Sequence, residues 1–161
     1  MLNPQNPPYI CLIIQNNNKM KAIQTIKKAP IQTETGITLN RNKSIYKKGG
    51  LVLPILSKNI NQKDLTINNI DNFINQNKHF IKKNNVKIGI YKFPNKKTCS
   101  LDLNIIVNAN QTNKALQIAK ELGQESIFNL STFENIKTGC SGQNPKQITL
   151  KEFNEIQKQL K

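Results

Sequence analysis

The sequence predicts an α+β fold, in which an antiparallel sheet of about five to seven strands carries three helices packed mainly on one face. Two kinds of periodicity support this class: short segments alternate apolar with polar residues, and three longer segments repeat apolar residues at helical spacing. The strands precede a helix three times, at a spacing of roughly 40 to 50 residues, which is typical of an α+β protein. With 161 residues and a 37% hydrophobic fraction, the chain is long enough to bury one core without disulfides or metals.

The N-terminal residues predict little structure. Residues 1–19 include Pro4, Pro7 and Pro8 and lack periodicity, so we expect a loose tail, followed by a single domain over 20–161. The apolar run 9–14 is too short for a signal-peptide core or a membrane span.

The first strands and the first helix follow. Segments 37–39 and 44–46 flank a polar turn and predict two short strands, and 51–56 predicts a third. Pro54 predicts that this third strand is an edge strand or contains a bulge, because proline cannot donate to a neighbouring strand. Thr66 is a suitable N-cap for a helix over 66–83, since its apolar residues form one stripe.

Two hairpins and two helices complete the pattern. Segments 86–93 and 99–107 predict a central hairpin, covered on part of both faces, and 126–130 with 135–137 predict another. Between them we expect a helix over 112–122 that ends at Gly123 in a left-handed conformation. The last helix starts at Thr149, which forms a capping box with Glu152, and its predicted buried stripe is Leu150, Phe153, Ile156 and Leu160.

The cysteine and histidine content predicts neither a metal site nor a cofactor. Cys11, Cys99 and Cys140 are widely spaced, and His79 is the only histidine, so no zinc pattern or disulfide framework is present. We therefore expect a reducing cytoplasm. The same composition excludes a catalytic pair of histidines, and His79 lies off the apolar stripe of its helix. The position of Asp102 between two leucines predicts an ordinary cross-strand ion pair, with Lys92 or a helix end as the partner.

The charge is distributed unevenly along the chain. The first 101 residues hold 17 basic and 3 acidic residues, and the remaining 60 hold 7 and 6, within a total of +15. A basic surface attracts polyanions over about 8 to 10 Å at physiological salt. Because Arg41 is the only arginine, recognition by charge or shape is expected rather than bidentate reading of bases. Codon bias explains the choice of lysine over arginine but not the scarcity of acids.

A candidate nucleic-acid-binding surface combines these lysines with aromatic residues. Lysine neutralises phosphates and aromatic rings stack on bases. The strand geometry separates the lysines between two ends of one hairpin, about 30 Å apart, so only an elongated ligand touches both ends. The alternative is a set of solvated strand and helix ends. The candidate residues are Arg41, Lys47, Lys48, Lys82, Lys83, Lys87, Lys92, Lys96 and Lys97.

A second candidate site is the loop that contains Thr138, Gly139, Ser141 and Gly142. Two glycines around small polar residues can turn backbone N–H groups toward one anion, with Cys140 as a potential thiolate. The alternative is a flexible connection to the last helix, because no P-loop lysine follows the second glycine.

Five sequence motifs are distinctive: VKIGIYKFP at 86–94, SLDLN at 100–104, GQESIFNL at 123–130, TFEN at 132–135 and KTG at 137–139. They resemble motifs of uncharacterised proteins from phages, prophages and conjugative elements. The resemblance covers about residues 36–147 and implies a mobile-element accessory protein, a context in which small proteins often counter host defence; it supplies no catalytic residues.

The expected function is therefore binding rather than catalysis. The leading hypothesis is that the lysine-rich surface engages a nucleic acid or a ribonucleoprotein, without a membrane partner. One alternative is an inhibitor that docks on an acidic surface of a host defence complex. The other is an enzyme or sequestering protein for a small phosphorylated ligand, using the 139–142 loop with nearby lysines.

Overall fold

The computed structural model describes residues 19–28, 35–40, 46, 48–83 and 85–161 of the chain. Five α-helices and six strands lie within this described part, and the predicted α+β class is confirmed. In chain order they are α1 (Lys19–Lys28), β1 (Thr35–Leu39), β2 (Leu51–Asn61), α2 (Ile67–Gln76), α3 (Lys78–Ile81), β3 (Val86–Lys92), β4 (Thr98–Val107), α4 (Thr112–Glu121), β5 (Ser126–Asn129), β6 (Glu134–Lys137) and α5 (Leu150–Gln159).

The six strands form one curled antiparallel sheet in the order β1-β3-β4-β2-β5-β6. The predicted hairpin of β3 and β4 is present, in a register that places Val86 opposite Ile105 and Lys92 opposite Cys99. The second predicted hairpin, β5 with β6, is present too. Because β3 lies between β1 and β4, and β4 between β3 and β2, both strands are central as their sequences predict.

One face of this sheet carries the hydrophobic core. Leu101, Leu103 and Ile105 of β4, with Ile88 and Ile90 of β3, are at most 1% exposed. Burying one such side chain contributes about 1.5 to 3 kcal/mol. All five helices pack apolar residues into the same cluster: Ile23 and Ile26 (α1), Ile70 and Phe73 (α2), Phe80 and Ile81 (α3), Ala115, Ile118 and Ala119 (α4), Phe153 and Ile156 (α5).

Strand β2 explains how a central strand accommodates a proline. Its pairing with β4 shifts register between Pro54 and Leu56, so the predicted bulge is present. Strand β5 pairs with β2 only at Leu51 and Val52. Pro54 therefore lies beyond the segment that β5 covers, where a missing N–H donor costs no hydrogen bond to that strand.

The helices differ from the sequence prediction at three points. Helix α1 was not predicted, yet Ile23 and Ile26 are 5% and 1% exposed. The predicted helix over 66–83 is divided at Asn77, whose side-chain amide donates to the carbonyl of Phe73 at 2.8 Å, in competition with the helix backbone. Leu150 is 44% exposed, because as the first residue of α5 it precedes the turn that packs on the core. Residues 1–18, and 44 and 45 of the predicted strand 44–46, lie outside the described part.

Candidate ligand cavity on the concave face

The sheet face opposite the helices is lined by buried polar side chains. Ser100, Asp102 and Asn104 occupy the positions of β4 that alternate with its core residues, and they are 4%, 9% and 3% exposed. Residues from all six strands line one cavity of about 410 Å³ on this side, so the curled sheet is concave here. The volume lies within the range of small-molecule sites.

The cavity has a hydrogen-bonded base, which we call the polar floor: Ser57, Ser100, Asp102, Asn104 and Gln124. The Ser100 hydroxyl donates to the Asp102 carboxylate, and the Ser57 hydroxyl also hydrogen-bonds to it. The Gln124 side-chain amide donates to the Ser57 hydroxyl at 3.5 Å. Strands β2 and β4, together with Gln124 in the segment after α4, thus hold one buried carboxylate in place.

The environment of Asp102 makes its carboxylate easy to protonate. Burial raises the pKa of Asp102 from 3.8 to about 6, while the hydrogen bonds from Ser100 and Ser57 lower it in part. The predicted ion pair with Lys92 is wrong. In the register of the hairpin Asp102 lies opposite Gly89, while Lys92 lies opposite Cys99, whose side chain faces the helices.

Asn104 supplies an acceptor that no described residue satisfies. Its Oδ1 atom is buried and has no hydrogen-bond partner within the described part of the chain. A buried polar atom without a partner costs about 1 to 3 kcal/mol and is uncommon in native proteins. Since Asn104 lines the cavity, a donor from a ligand in the cavity can satisfy it.

Gly89 keeps space beside this acceptor. A Cβ atom at position 89 would contact the Asn104 side-chain amide and lie 3.2 Å from the Cβ of Asp102. No other residue type fits opposite Asp102 without displacing these side chains. This explains a glycine at the centre of a central strand, where it otherwise weakens pairing.

Aromatic rings form the walls above the polar floor. Tyr91 and Phe93 line the cavity and pack edge to face, with ring centroids 5.0 Å apart. The ammonium of Lys87 lies 5.2 Å from the ring centroid of Tyr46, and that of Lys96 lies 5.5 Å from the ring of Phe93. Tyr46 also lines the cavity, and its partial burial raises the pKa of its hydroxyl. Two cations therefore border the aromatic walls.

The structure separates the predicted basic surface into parts. Lys82, Lys83 and Lys87 lie at or before the start of β3, and Lys96 and Lys97 lie in the turn after it. Apart from the half-buried Lys87, these residues are exposed, as is Lys48. Lys92 is 1% exposed, so its assignment to a nucleic-acid-binding surface is wrong. Arg41 and Lys47 lie outside the described residues.

The candidate anion loop at 138–142 contributes Gly142 to the lining of the cavity, but several backbone donors in and beside the loop are already used. The backbone N–H of Thr138 donates to the carbonyl of Glu125, that of Cys140 to the Thr138 hydroxyl, and that of Gln143 to the Ser141 hydroxyl. A Cβ atom at Gly142 would lie 2.9 Å from the Cβ of Glu125, which places an acidic residue against the loop. Both features disfavour the predicted anion site at Gly139 and Gly142.

Most of the polar floor was not predicted from the sequence. Asp102 was assigned to a cross-strand ion pair, and no site role was predicted for Ser57, Ser100, Asn104 or Gln124. The available signal was the polar alternation of Ser100, Asp102 and Asn104 in a strand next to a mid-strand glycine, because polar groups on a covered sheet face require partners.

Comparison with protein-family models, curated protein sequences and solved structures returns no match to this chain. In the described ranges no helix has the length and apolar character needed to cross a membrane. The same ranges contain no cluster of three or more His, Cys, Asp or Glu side chains that could hold a metal ion. The site must therefore be interpreted from its own chemistry.

Proposed function

We propose that the protein acts by binding a nucleotide unit in the cavity on the concave face, either as a free nucleotide or within a single-stranded nucleic acid. The observation that carries this proposal is a cavity of about 410 Å³ with a buried polar floor and aromatic walls, where two lysine ammonium groups lie against the rings of the lining residues Tyr46 and Phe93. These elements match the edge of a base, its two faces and a phosphate.

Each element has a distinct chemical role. The edge of a base carries hydrogen-bond groups that suit the polar floor, and the base faces are apolar and suit Tyr91 or Phe93, as in proteins that stack bases on aromatic rings. The phosphate is an anion that Lys87 or Lys96 attracts. A purely apolar ligand would leave Asn104 Oδ1 without a partner and would desolvate the Asp102 carboxylate further, at a cost of several kcal/mol.

The distance between the two lysines bears on the form of the ligand. From Lys87 to Phe93 the strand rises about 20 Å, so a single nucleotide contacts the lysine at one end of the cavity only. A strand of several nucleotides can reach Lys87 and Lys96 together. This retains the predicted nucleic-acid partner while moving the site from the outer lysines to the concave face.

The wider context remains a prediction. A role as an accessory protein of a mobile element, and the alternative of docking on a host defence complex, have no further support in the described residues. Among the described residues that line the cavity there is no histidine or cysteine, which favours binding or sequestration over nucleophilic catalysis.

A binding experiment with two ligand series tests the proposal. Fluorescence anisotropy measures binding of single-stranded RNA and DNA oligonucleotides at about 50 and 200 mM salt. Thermal shift measures binding of free mononucleotides and cyclic nucleotides. We expect binding in at least one of the two ligand series, and weaker oligonucleotide binding at the higher salt concentration. Absence of binding in both series contradicts the proposal.

Matched variants locate the binding. Lys87→Gln and Lys96→Gln should weaken binding, whereas Lys83→Gln and Lys97→Gln remove neighbouring exposed lysines and serve as controls. Thr38→Phe should block the cavity, because Thr38 lines it from β1. Equal losses in all four lysine variants, with Thr38→Phe unchanged, would instead indicate nonspecific attraction to the outer surface.

A further inference from the structure

We infer that the cavity selects guanine, with the donor edge of the base bound by Asp102 and Asn104. This inference rests on the proposed nucleotide function and adds the identity of the base. It follows from two acceptors of the polar floor, the Asp102 carboxylate and Asn104 Oδ1, whose residues both line the cavity.

The first acceptor is the carboxylate of Asp102. A carboxylate has about four lone-pair positions, and the hydroxyls of Ser100 and Ser57 occupy two of them. The remaining positions lie in a cavity that buries Asp102 to 9% exposure. A planar carboxylate can then accept two parallel N–H bonds from one ligand edge.

The second acceptor is Asn104 Oδ1, two residues along the same face of β4. It is buried, it lines the cavity, and no described residue donates to it. Residues two apart on one strand lie about 7 Å apart. Two acceptors at this spacing favour a ligand with several donors along one side.

Guanine is the base that fits this arrangement. Its N1–H and its 2-amino group are adjacent donors on one edge, and they form two parallel bonds to a carboxylate. Adenine and cytosine place a ring-nitrogen acceptor next to their amino group, and this acceptor would face an ionised carboxylate. Uracil has one N–H between two carbonyls. Each mismatched edge loses hydrogen bonds and leaves a buried acceptor unsatisfied.

Charge argues against the other donor-rich ligands. A guanidinium or polyamine ligand would also offer several donors to Asp102. However, the aromatic walls are bordered by the ammonium groups of Lys87 and Lys96, and the chain carries a formal charge of +15. A ligand with donors at one end and an anion at the other fits both features, and a guanine nucleotide has this polarity.

Isothermal titration of the native protein with five nucleotides tests the inference. The probes are the 5′-monophosphates of guanosine, inosine, adenosine, cytidine and uridine; inosine retains N1–H but lacks the 2-amino group. We expect guanosine monophosphate to bind about tenfold or more tightly than inosine monophosphate, and more tightly than the other three. If the five bind with similar affinity, the guanine inference is overturned while the nucleotide proposal stands. If none binds, and oligonucleotides fail as well, both are overturned.

Two variants assign the contacts. Asp102→Asn should abolish the discrimination between guanosine and inosine monophosphates, because it replaces an acceptor with a donor that opposes the base. Asp64→Asn makes the same change outside the cavity and should retain the wild-type ratio. Asn104→Ala should weaken the binding of guanosine monophosphate by about fivefold or more. Asn110→Ala, which makes the same change outside the cavity, is the control. If Asp102→Asn retains the wild-type ratio of guanosine to inosine monophosphate affinity, the assignment is overturned. The comparison of these two nucleotides on the native protein does not depend on the folding of any variant.

Discussion

The buried carboxylate of Asp102 makes folding stability depend on pH in a direction opposite to that of most acidic residues. Its pKa rises from 3.8 in the unfolded chain to about 6 in the folded protein, chiefly because burial disfavours the charged form. The folded state therefore holds the proton more tightly. The stabilisation is fully present below pH 3.8 and is lost as pH rises through about 6.

The magnitude follows from this difference. Each pKa unit corresponds to about 1.4 kcal/mol, so ionisation of Asp102 lowers the free energy of unfolding by about 3 kcal/mol between acidic and neutral pH. Because Asp102 is only 9% exposed, solvent screening reduces this value little. In the variant Asp102→Asn the side chain cannot ionise, and the loss should not occur.

The assay is urea denaturation of both proteins at about pH 4 and pH 7.5. The contributions of all other groups are common to both proteins and cancel in the difference between them. We expect Asp102→Asn to gain about 2 to 3 kcal/mol relative to wild type between the two pH values. A difference that stays constant within about 0.5 kcal/mol refutes the argument that this carboxylate is held desolvated.

Three further predictions concern local structure. Thr149→Ala should lower the free energy of unfolding by about 1 kcal/mol, because it removes the capping box. Urea denaturation measures this loss, and an unchanged free energy of unfolding would show that the cap contributes nothing. Hydrogen bonds from Lys146 and from the backbone of Thr149 lower the pKa of Glu152 to about 2. The stabilising contribution of the Glu152 carboxylate is therefore present above about pH 4.5 and disappears as pH falls toward 2. Thermal melting temperatures of wild type and Glu152→Gln should converge as pH falls from 4.5 to 2. Ile156→Ala should cost about 2 to 5 kcal/mol, but Leu150→Ala less than about 0.5 kcal/mol because Leu150 is exposed; similar losses would place Leu150 in the core.

A glycine comparison tests the backbone at the end of α4. Gly123 has φ +70° and its Cβ would make only ordinary contacts, so Gly123→Ala should cost about 1 kcal/mol through backbone strain alone. Gly36→Ala is the control, since its Cβ would also meet only ordinary contacts. Equal stabilities of the two variants in chemical denaturation would contradict the C-cap assignment.

Much of the fold was predictable because it depends on local patterns. The alternation of apolar residues in 86–93 and 99–107 gives the central hairpin, and the Thr149 and Glu152 pair gives the start of α5. Helix α1 was missed because it is stabilised by burial of Ile23 and Ile26 in the distant core, which local propensity does not report. The division at Asn77 likewise depends on one side-chain hydrogen bond.

The candidate site was less predictable because its residues are brought together by pairing between distant strands. Ser57 and Asp102 are opposite one another only in the register of β2 with β4, and Gln124 reaches Ser57 from the residues after α4. The lysines stand out in the sequence by composition, yet Lys92 is buried. Charge therefore suggested the type of ligand, while the position of the cavity required the three-dimensional structure.

The most direct test of the account is to map the ligand contacts by NMR. Titration of ¹⁵N-labelled protein with guanosine monophosphate, and separately with a short single-stranded oligonucleotide, should shift the backbone amides of Gly89, Ser100, Asp102 and Asn104 and the side-chain amide of Asn104. The amides of the helices on the opposite face should change little. Shifts confined to the outer lysines, such as Lys82, Lys83 and Lys97, with an unperturbed polar floor, would contradict the claim that the concave face binds the nucleotide.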